Sequence, residues 1–141
     1  FASILTGNDL VLALDLLVPY AHWITPEGMP KRFDTWFFLA AAPPEQVGAH
    51  DGRESTDSIW VTPRDALAGN DTGRFKLPFP TIRNLIKLSK QPAVAAALGD
   101  ARGKPIVTVL PIMRKLDENR RELRIPIEAG YDGDVFEFGG V

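Results

Sequence analysis

The chain has no cysteine among its 141 residues and only two histidines, His22 and His50. Without thiols it can form neither a disulfide framework nor a thiolate metal site. The histidines lack metal-pair spacing, so we interpret each as a hydrogen-bonded core or loop residue. No apolar run approaches the roughly 20 residues that span a bilayer, and no basic segment precedes Leu10–Val18 as in a secretory signal. These absences favour a cytoplasmic protein with no membrane partner.

Two common catalytic patterns are also missing. No serine lies in a Gly-X-Ser-X-Gly elbow, the turn that carries the nucleophile of α/β hydrolases. No glycine-rich loop is followed by Lys-Ser or Lys-Thr, so the sequence has no phosphate-binding loop of the NTPase type. Candidate chemistry therefore has to be sought among the carboxylates and the cationic side chains.

Length and composition are typical of one globular domain, predicted over residues 1–141, because 45% of the residues are hydrophobic. The net charge of −2 conceals an asymmetry: residues 1–75 carry 5 basic and 10 acidic side chains, and residues 76–141 carry 11 and 8. We interpret the later basic residues as a solvated surface, with phosphate contact as the alternative. They lack interleaved aromatics, so nucleic acid is not expected as a partner. These residues are Arg114, Lys115, Arg120, Arg121 and Arg124.

Helices are predicted where a capping residue or a proline precedes an apolar periodicity. The clearest such signal is Thr62 as N-cap followed by Pro63 as the first helical residue. The predicted helices are a helix end or short turn at Phe1–Leu5, then Arg64–Leu67, a helix opened by Pro80, and Pro92–Leu98 closed by Gly99.

Strands are predicted from β-branched and aromatic runs. Both faces of Arg32–Ala41 are largely apolar, which predicts a central strand covered on each side. Pro126 indicates an edge position for its strand, because proline cannot donate to a ladder. Together the elements predict an α/β fold whose mixed or mostly antiparallel sheet is flanked by helices. The predicted strands are Val18–Ile24, Arg32–Ala41, Ser58–Val61, Ile106–Ile112, Leu123–Ile127 and Val135–Phe138.

Charged residues surround the turn at Pro26–Pro30, namely Glu27, Lys31, Arg32 and Asp34. Two adjacent cations in such a turn can contact a diphosphate, and Asp34 can orient Arg32 by a charge-assisted hydrogen bond. The alternative is a purely structural Arg–Asp pair at the entrance of a strand.

Three carboxylates, Asp51, Glu54 and Asp57, recur at intervals of three in the loop before Trp60. Carboxylate oxygens are the hard ligands that divalent cations prefer, so this loop is a candidate for a metal contact. A solvated acidic loop is the alternative interpretation.

Five short motifs follow one another in a fixed order over residues 1–90. They are Trp23-Ile24-Thr25-Pro26-Glu27, Lys31-Arg32-Phe33-Asp34-Thr35, an acidic loop with Glu54, Trp60-Val61-Thr62-Pro63, and Pro80-Thr81. This ordered set resembles the Nudix hydrolases, in particular the branch that includes the peroxisomal coenzyme A diphosphatases. A looser similarity extends into the remainder of the chain.

The resemblance implies a Nudix-like α/β/α sandwich with a mixed sheet, partial in this chain. It also implies hydrolysis of a diphosphate bond in a nucleoside diphosphate-linked or coenzyme A-type substrate. That chemistry uses Mg²⁺ or Mn²⁺ held by glutamates of a motif ending in Arg-Glu-X-X-Glu-Glu-X-Gly. Arg121-Glu122 lacks the downstream acidic pair, and the first residue is Phe1 rather than Met. The catalytic helix and its metal ligands are therefore expected upstream of Phe1.

The resemblance further implies that Trp23, Glu27, Lys31 and Arg32 line the substrate side and that Glu54 acts as an auxiliary metal ligand or general base. The expected partner is a small-molecule diphosphate, and exposed strand edges near Pro126 are compatible with a homodimer. The alternative is a degenerate Nudix-type module that binds a nucleotide or a protein partner without cleaving anything.

Overall fold

The computed structural model describes residues 2–44, 52 and 57–139. These residues form a mixed α/β structure, which confirms the predicted class and is compatible with a partial Nudix-like α/β fold. No helix in these ranges is both long enough and apolar enough to cross a membrane. The elements are α1 (Ala2–Gly7), β1 (Val18–Ile24), β2 (Asp34–Leu39), α2 (Pro63–Asp71), α3 (Phe79–Leu88), α4 (Val94–Arg102), β3 (Thr108–Val109), β4 (Ile112–Lys115), β5 (Arg120–Arg124) and β6 (Val135–Gly139), with 3₁₀ turns at Leu14–Leu16 and Ile127–Ala129.

The first sheet is mixed and has the strand order β2-β1-β3. Its middle strand β1 has the predicted bounds and pairs antiparallel with β2 and parallel with β3. Four residues of β1 are buried, Val18, Ala21, His22 and Trp23. Ala21 and Trp23 belong to the hydrophobic core, and His22, between them, points to the opposite face of the sheet. The register with β2 shifts between Pro19 and Ala21, where a proline cannot donate a ladder hydrogen bond.

The prediction of β2 as a central strand covered on both sides is wrong. In the described residues β2 lies at the edge of its sheet, and Trp36 and Phe38 are each 49% exposed. Phe37, on the opposite face, packs against the core. An apolar sequence shows that a strand has two apolar faces, but it does not show that anything packs on both of them.

The second sheet is an antiparallel meander with the order β4-β5-β6. Its middle strand is β5, so the edge position inferred from Pro126 is wrong. Strand β5 ends at Arg124, and Pro126 precedes the 3₁₀ turn Ile127–Ala129. Since Pro126 lies beyond the ladder, its missing N–H places no restriction on the strand. The last strand, β6, is confirmed.

Two other strand predictions fail because an extended segment becomes a strand only where it finds a partner. The predicted strand Ile106–Ile112 is reduced to Thr108–Val109, after which Pro111 interrupts the ladder and Ile112 begins β4. Residues Ser58–Val61, also predicted as a strand, pair with no other described segment, and Trp60 is 77% exposed.

The helix starts were predicted better than the helix ends. Thr62 caps α2 by accepting the Asp65 backbone N–H at 3.1 Å, but α2 continues beyond Leu67 to Asp71. Helix α4 begins at Val94 and passes through Gly99 to Arg102. Gly99 was predicted to end this helix. A glycine typically ends a helix when it adopts a left-handed conformation, whereas Gly99 lies within the helical run.

A chain of hydrogen bonds through the core joins three parts of the molecule. The indole N–H of Trp23, which is 3% exposed, donates to the Tyr131 hydroxyl at 2.8 Å. That hydroxyl donates to Oδ1 of Asn84 at 2.7 Å, and the Tyr20 hydroxyl donates to the Asn84 carbonyl at 3.3 Å. Strand β1, helix α3 and the segment before β6 are thereby fixed relative to one another.

Burial shifts the pKa of the titratable groups around this chain of bonds. It raises the pKa of Tyr131 to about 12 and also raises the pKa of Tyr20, because an ionised phenolate loses its hydration there. It lowers the pKa of Lys87, whose ammonium lies 5.0 Å from the centre of the Tyr131 ring and donates to the Ala129 carbonyl at 3.1 Å.

We expect opposite effects of the same substitution at two helical glycines. A Cβ on Gly69 of α2 would overlap the Phe75 ring, whereas a Cβ on Gly99 of α4 would meet nothing within 4 Å. Gly69→Ala should therefore lower the free energy of unfolding by about 1–3 kcal/mol through overpacking. Gly99→Ala should raise it by about 0.5–1 kcal/mol, because alanine loses less backbone entropy in a helix. Urea denaturation checks both, and a stabilised Gly69→Ala would contradict the packing.

The phenol pKa predicts an alkaline loss of stability. Because the Tyr131 pKa is raised in the folded state, its stabilising contribution is complete below pH 10 and is lost as pH rises from 10 towards about 12. The lowered pKa of Lys87 acts in the opposite sense: the cost of burying its charge disappears as pH rises through its ordinary pKa of 10.5, and no further gain follows above that range. In urea titrations between pH 10 and 12, Tyr131→Phe should lose stability less steeply than wild type. Parallel pH profiles would contradict this.

Candidate functional site

The turn between β1 and β2, residues 25–33, is closed by hydrogen bonds at its base. The Thr25 N–H donates to the Phe33 carbonyl, and the Phe33 N–H donates to Oγ1 of Thr25, both at 2.9 Å. Nε of Arg32 donates to the Thr25 carbonyl at 3.1 Å. Gly28, at φ +80°, supplies the left-handed conformation that reverses the chain. The loop predicted to carry function is therefore a defined hairpin end.

The predicted substrate-side residues occupy two different environments. Glu27, Lys31 and Arg32 are exposed in the 25–33 turn, and the Lys31 ammonium lies 5.0 Å from the centre of the Phe33 ring. Trp23 is buried in the core, on the strand that leads into this turn, and its indole N–H donates to the Tyr131 hydroxyl. The structure thus brings the three charged side chains into one exposed turn and places Trp23 in the core rather than among them.

The predicted orientation of Arg32 by Asp34 is wrong. Arg32 bonds to the Thr25 backbone, while Oδ1 of Asp34 lies 2.6 Å from Nε2 of His22. The reason lies in the strand pairing: Ile24 is opposite Asp34 and His22 is opposite Trp36. Asp34 is thus the diagonal neighbour of His22 on the same face of the sheet, a position from which side chains interact.

His22 is the centre of a polar cluster on the face of the first sheet that carries Trp36. Its Nε2 donates to Asp34, and its Nδ1 lies 2.8 Å from the hydroxyl of Thr108 on β3. Because a carboxylate only accepts, Nε2 carries a proton, and in the neutral imidazole the Thr108 hydroxyl donates to Nδ1. His22 is 8% exposed, which confirms its interpretation as a hydrogen-bonded core residue.

Trp36 completes the cluster by stacking on the imidazole of His22, with ring centres 4.2 Å apart and planes at 11°. The sequence contained no signal for the roles of Trp36 and Thr108. Thr108 lies 86 residues from His22, and a parallel pairing at that separation cannot be inferred from the local pattern. The cluster ties both neighbours of β1 to it and so fixes the base of the 25–33 turn.

The acidic loop lies mostly outside the described residues. Glu54, the predicted auxiliary ligand or general base, and Asp51 both fall there, as does His50, whereas Asp57 is described and exposed. Within residues 2–44, 52 and 57–139, no group of three or more His, Asp or Glu side chains is placed to hold a metal ion.

The basic surface of the second sheet is partly neutralised by its own carboxylates. Nε of Arg120 lies 2.7 Å from Asp117, and a second nitrogen lies 3.8 Å from Glu137. The Arg120 hydrogen bond lowers the pKa of the Asp117 carboxyl. Arg124 pairs with Glu122 at 3.5 Å. These pairs favour the interpretation as a solvated surface over phosphate binding.

Comparisons with known proteins agree with the resemblance at a coarse level. The chain is 28% identical over 79 residues to a Caenorhabditis elegans protein assigned as nudix hydrolase 7, a match covering 56% of this chain and 27% of that protein. It is 30% identical over 76 residues to acyl-coenzyme A diphosphatase NUDT19 of Xenopus laevis, covering 51% of this chain and 20% of that protein. No family model matches the chain, and no solved structure matches it. The two matches support a relationship to the Nudix hydrolases.

We expect the Asp34–His22 hydrogen bond to contribute measurably to stability. Asp34→Ala would leave a nearly buried imidazole N–H without its acceptor, which should cost about 1–3 kcal/mol of unfolding free energy. Asp34→Asn keeps an acceptor oxygen and should cost less. Glu27→Ala, a carboxylate removed from the exposed turn, should change stability by no more than about 0.5 kcal/mol. Urea denaturation at neutral pH compares the three variants, and equal midpoints for Asp34→Ala and Glu27→Ala would contradict the expectation.

Proposed function

We propose that this chain forms the substrate-side wall of a Nudix-type diphosphate hydrolase. The observation that carries the proposal is the closed 25–33 turn, which presents two adjacent cations, Lys31 and Arg32, from a strand anchored in the core. Phosphate oxygens are bound most strongly by charged donors held in place beforehand. The relationship to Nudix hydrolases points, at the level of the family, to diphosphate hydrolysis.

Arg32 is the stronger phosphate ligand of the two in this proposal. Its Nε–H donates to the Thr25 carbonyl. Among the described residues, its two terminal nitrogens have no hydrogen-bond partner. A guanidinium fixed through Nε presents these two nitrogens as a fork that matches two phosphate oxygens. Lys31 adds a second positive charge beside it, and Glu27 lies in the same turn to accept hydrogen bonds from substrate hydroxyl or amine groups.

Trp23 supports this wall from the core in the proposal. Because its indole is buried and hydrogen bonded to Tyr131, it fixes the position of β1, from which the turn emerges. The His22 cluster does the same from the opposite face of the sheet. Two independent anchors on one strand restrict how far Lys31 and Arg32 can move.

The proposed substrate is a nucleoside diphosphate-linked or coenzyme A-type molecule. One of the two relatives is named as a diphosphatase of acyl-coenzyme A, which supports that substrate class. Nudix chemistry depends on a divalent cation, Mg²⁺ or Mn²⁺, and its main ligands would come from outside the described residues. Glu54 stays our candidate for an auxiliary ligand or general base.

We expect phosphate-contacting cations to affect turnover by the complete protein. With Mg²⁺ and coenzyme A, dinucleoside polyphosphates or sugar nucleotides as substrates, Arg32→Ala should lower kcat/KM about 10- to 100-fold, the equivalent of one charged hydrogen bond. Lys31→Ala tests the same site without removing a hydrogen bond to the described residues, and Glu54→Gln tests the proposed base. Lys115→Ala, an exposed cation on the second sheet, is the control and should leave turnover unchanged.

Three outcomes would oppose this proposal. Unchanged turnover in Arg32→Ala, Lys31→Ala and Glu54→Gln would show that the site is elsewhere. An equal loss in Lys115→Ala would indicate a general effect of charge. Nucleotide binding that survives chelation, without any product release by the complete protein, would indicate a non-catalytic binding module instead.

A further inference from the structure

A cavity of about 630 Å³ lies where four elements of the fold meet. None of its described lining residues belongs to the 25–33 turn. The cavity is partly open to solvent and is lined by the end of β2, the start of α2, the end of α3 and the first turns of α4. Small-molecule sites typically occupy about 300–1,000 Å³. The cavity therefore has the volume of a ligand site rather than that of a packing defect.

The walls of this cavity are largely aliphatic. Val94, one of the lining residues, is 64% exposed. The described lining contains no aromatic side chain on which a flat ring could stack. Such walls favour an aliphatic group, whose burial is worth roughly 25 cal/mol per Å² of apolar surface. The apolar lining includes Leu39, Leu88, Pro92, Val94, Ala97 and Leu98.

One cationic residue, Arg64 in the first turn of α2, is among the described lining residues of the cavity, and its side chain is exposed. Other polar lining groups are already engaged: Ser89 Oγ donates to the Ile86 carbonyl at 2.8 Å, and Gln91 Nε2 donates to Asp100 at 3.3 Å. The Arg64 guanidinium has neither a hydrogen bond nor an ion pair to any described residue, and no carboxylate is among the described lining residues. The lining is thus complementary to an anion.

We propose that this cavity binds a small amphiphile, with an unbranched aliphatic chain along the apolar walls and an anionic head group at Arg64. The aliphatic walls select the chain, and the guanidinium selects a carboxylate or phosphate head over a neutral one. This binding does not depend on the hydrolase activity proposed above, since none of the lining residues belongs to the 25–33 turn.

Titration of this chain with sodium decanoate, below its micelle concentration, tests the proposal by two-dimensional amide NMR. The amide signals of Ala97 and Leu98 should shift and saturate. Arg64→Gln should weaken decanoate binding about tenfold, the loss of one charged contact. Arg102→Gln removes an exposed arginine at the end of the same α4 that lines the cavity, outside the lining itself, and should bind decanoate as wild type does.

A blocking variant tests whether decanoate binds inside the cavity, and a neutral ligand tests whether the head group contacts Arg64. Val94→Trp places a large side chain at a position that is already exposed, so the fold should persist, as the amide spectrum will show, while decanoate binding is lost. Decanol should bind more weakly than decanoate and be insensitive to Arg64→Gln. The proposal is overturned if decanoate causes no saturable shifts, if binding survives Val94→Trp, or if Arg64→Gln and Arg102→Gln weaken binding equally. Loss of self-association in Val94→Trp, without decanoate binding in wild type, would assign the cavity to a second copy and would also overturn it.

Discussion

The described structure depends on two linked hydrogen bonds, one from Trp23 to Tyr131 and one from Tyr131 to Asn84. They join the middle strand of the mixed sheet to α3 and to the segment that leads into β6. The three atoms paired in this chain are Nε1 of Trp23, the Tyr131 hydroxyl and Oδ1 of Asn84. Each would be costly to bury alone, because an unpaired donor or acceptor in the core loses its hydration without compensation. Once paired, they hold one arrangement of sheet, helix and C-terminal meander, and the aromatic rings of Phe79 and Phe136 pack around them.

The candidate site takes its rigidity from this core rather than from its own contacts. Strand β1 is fixed on one face by Trp23 and on the other by His22, which contacts Asp34 of β2 and Thr108 of β3. The 25–33 turn continues directly from this doubly anchored strand. Its cations are therefore held at a defined position while their terminal nitrogens stay in contact with water, an arrangement suited to an anionic ligand.

Much of the local structure could be predicted from the sequence, and the wrong strand predictions have a common cause. The bounds of β1, the Thr62 cap and the final strand follow from signals contained within a few residues. Three features depend on which segments pair: the position of β2, the length of β3 and the absence of a strand at residues 58–61. Pairing is decided by residues far along the chain. The wrong partner for Asp34 has the same origin: its nearest cation in sequence is Arg32, but its diagonal neighbour in the sheet is His22.

The sequence by itself determined the α/β class, most helix starts and the charged turn with Glu27, Lys31 and Arg32, because these depend on periodicity, capping and composition read over short windows. Only the tertiary structure decided that Trp23 is an internal anchor, that His22 bridges two strands, and that Leu39, Arg64, Leu88 and Ala97 line one cavity. Such relationships arise when strand register and helix packing bring distant residues together, and local side-chain patterns do not specify which distant surfaces will meet.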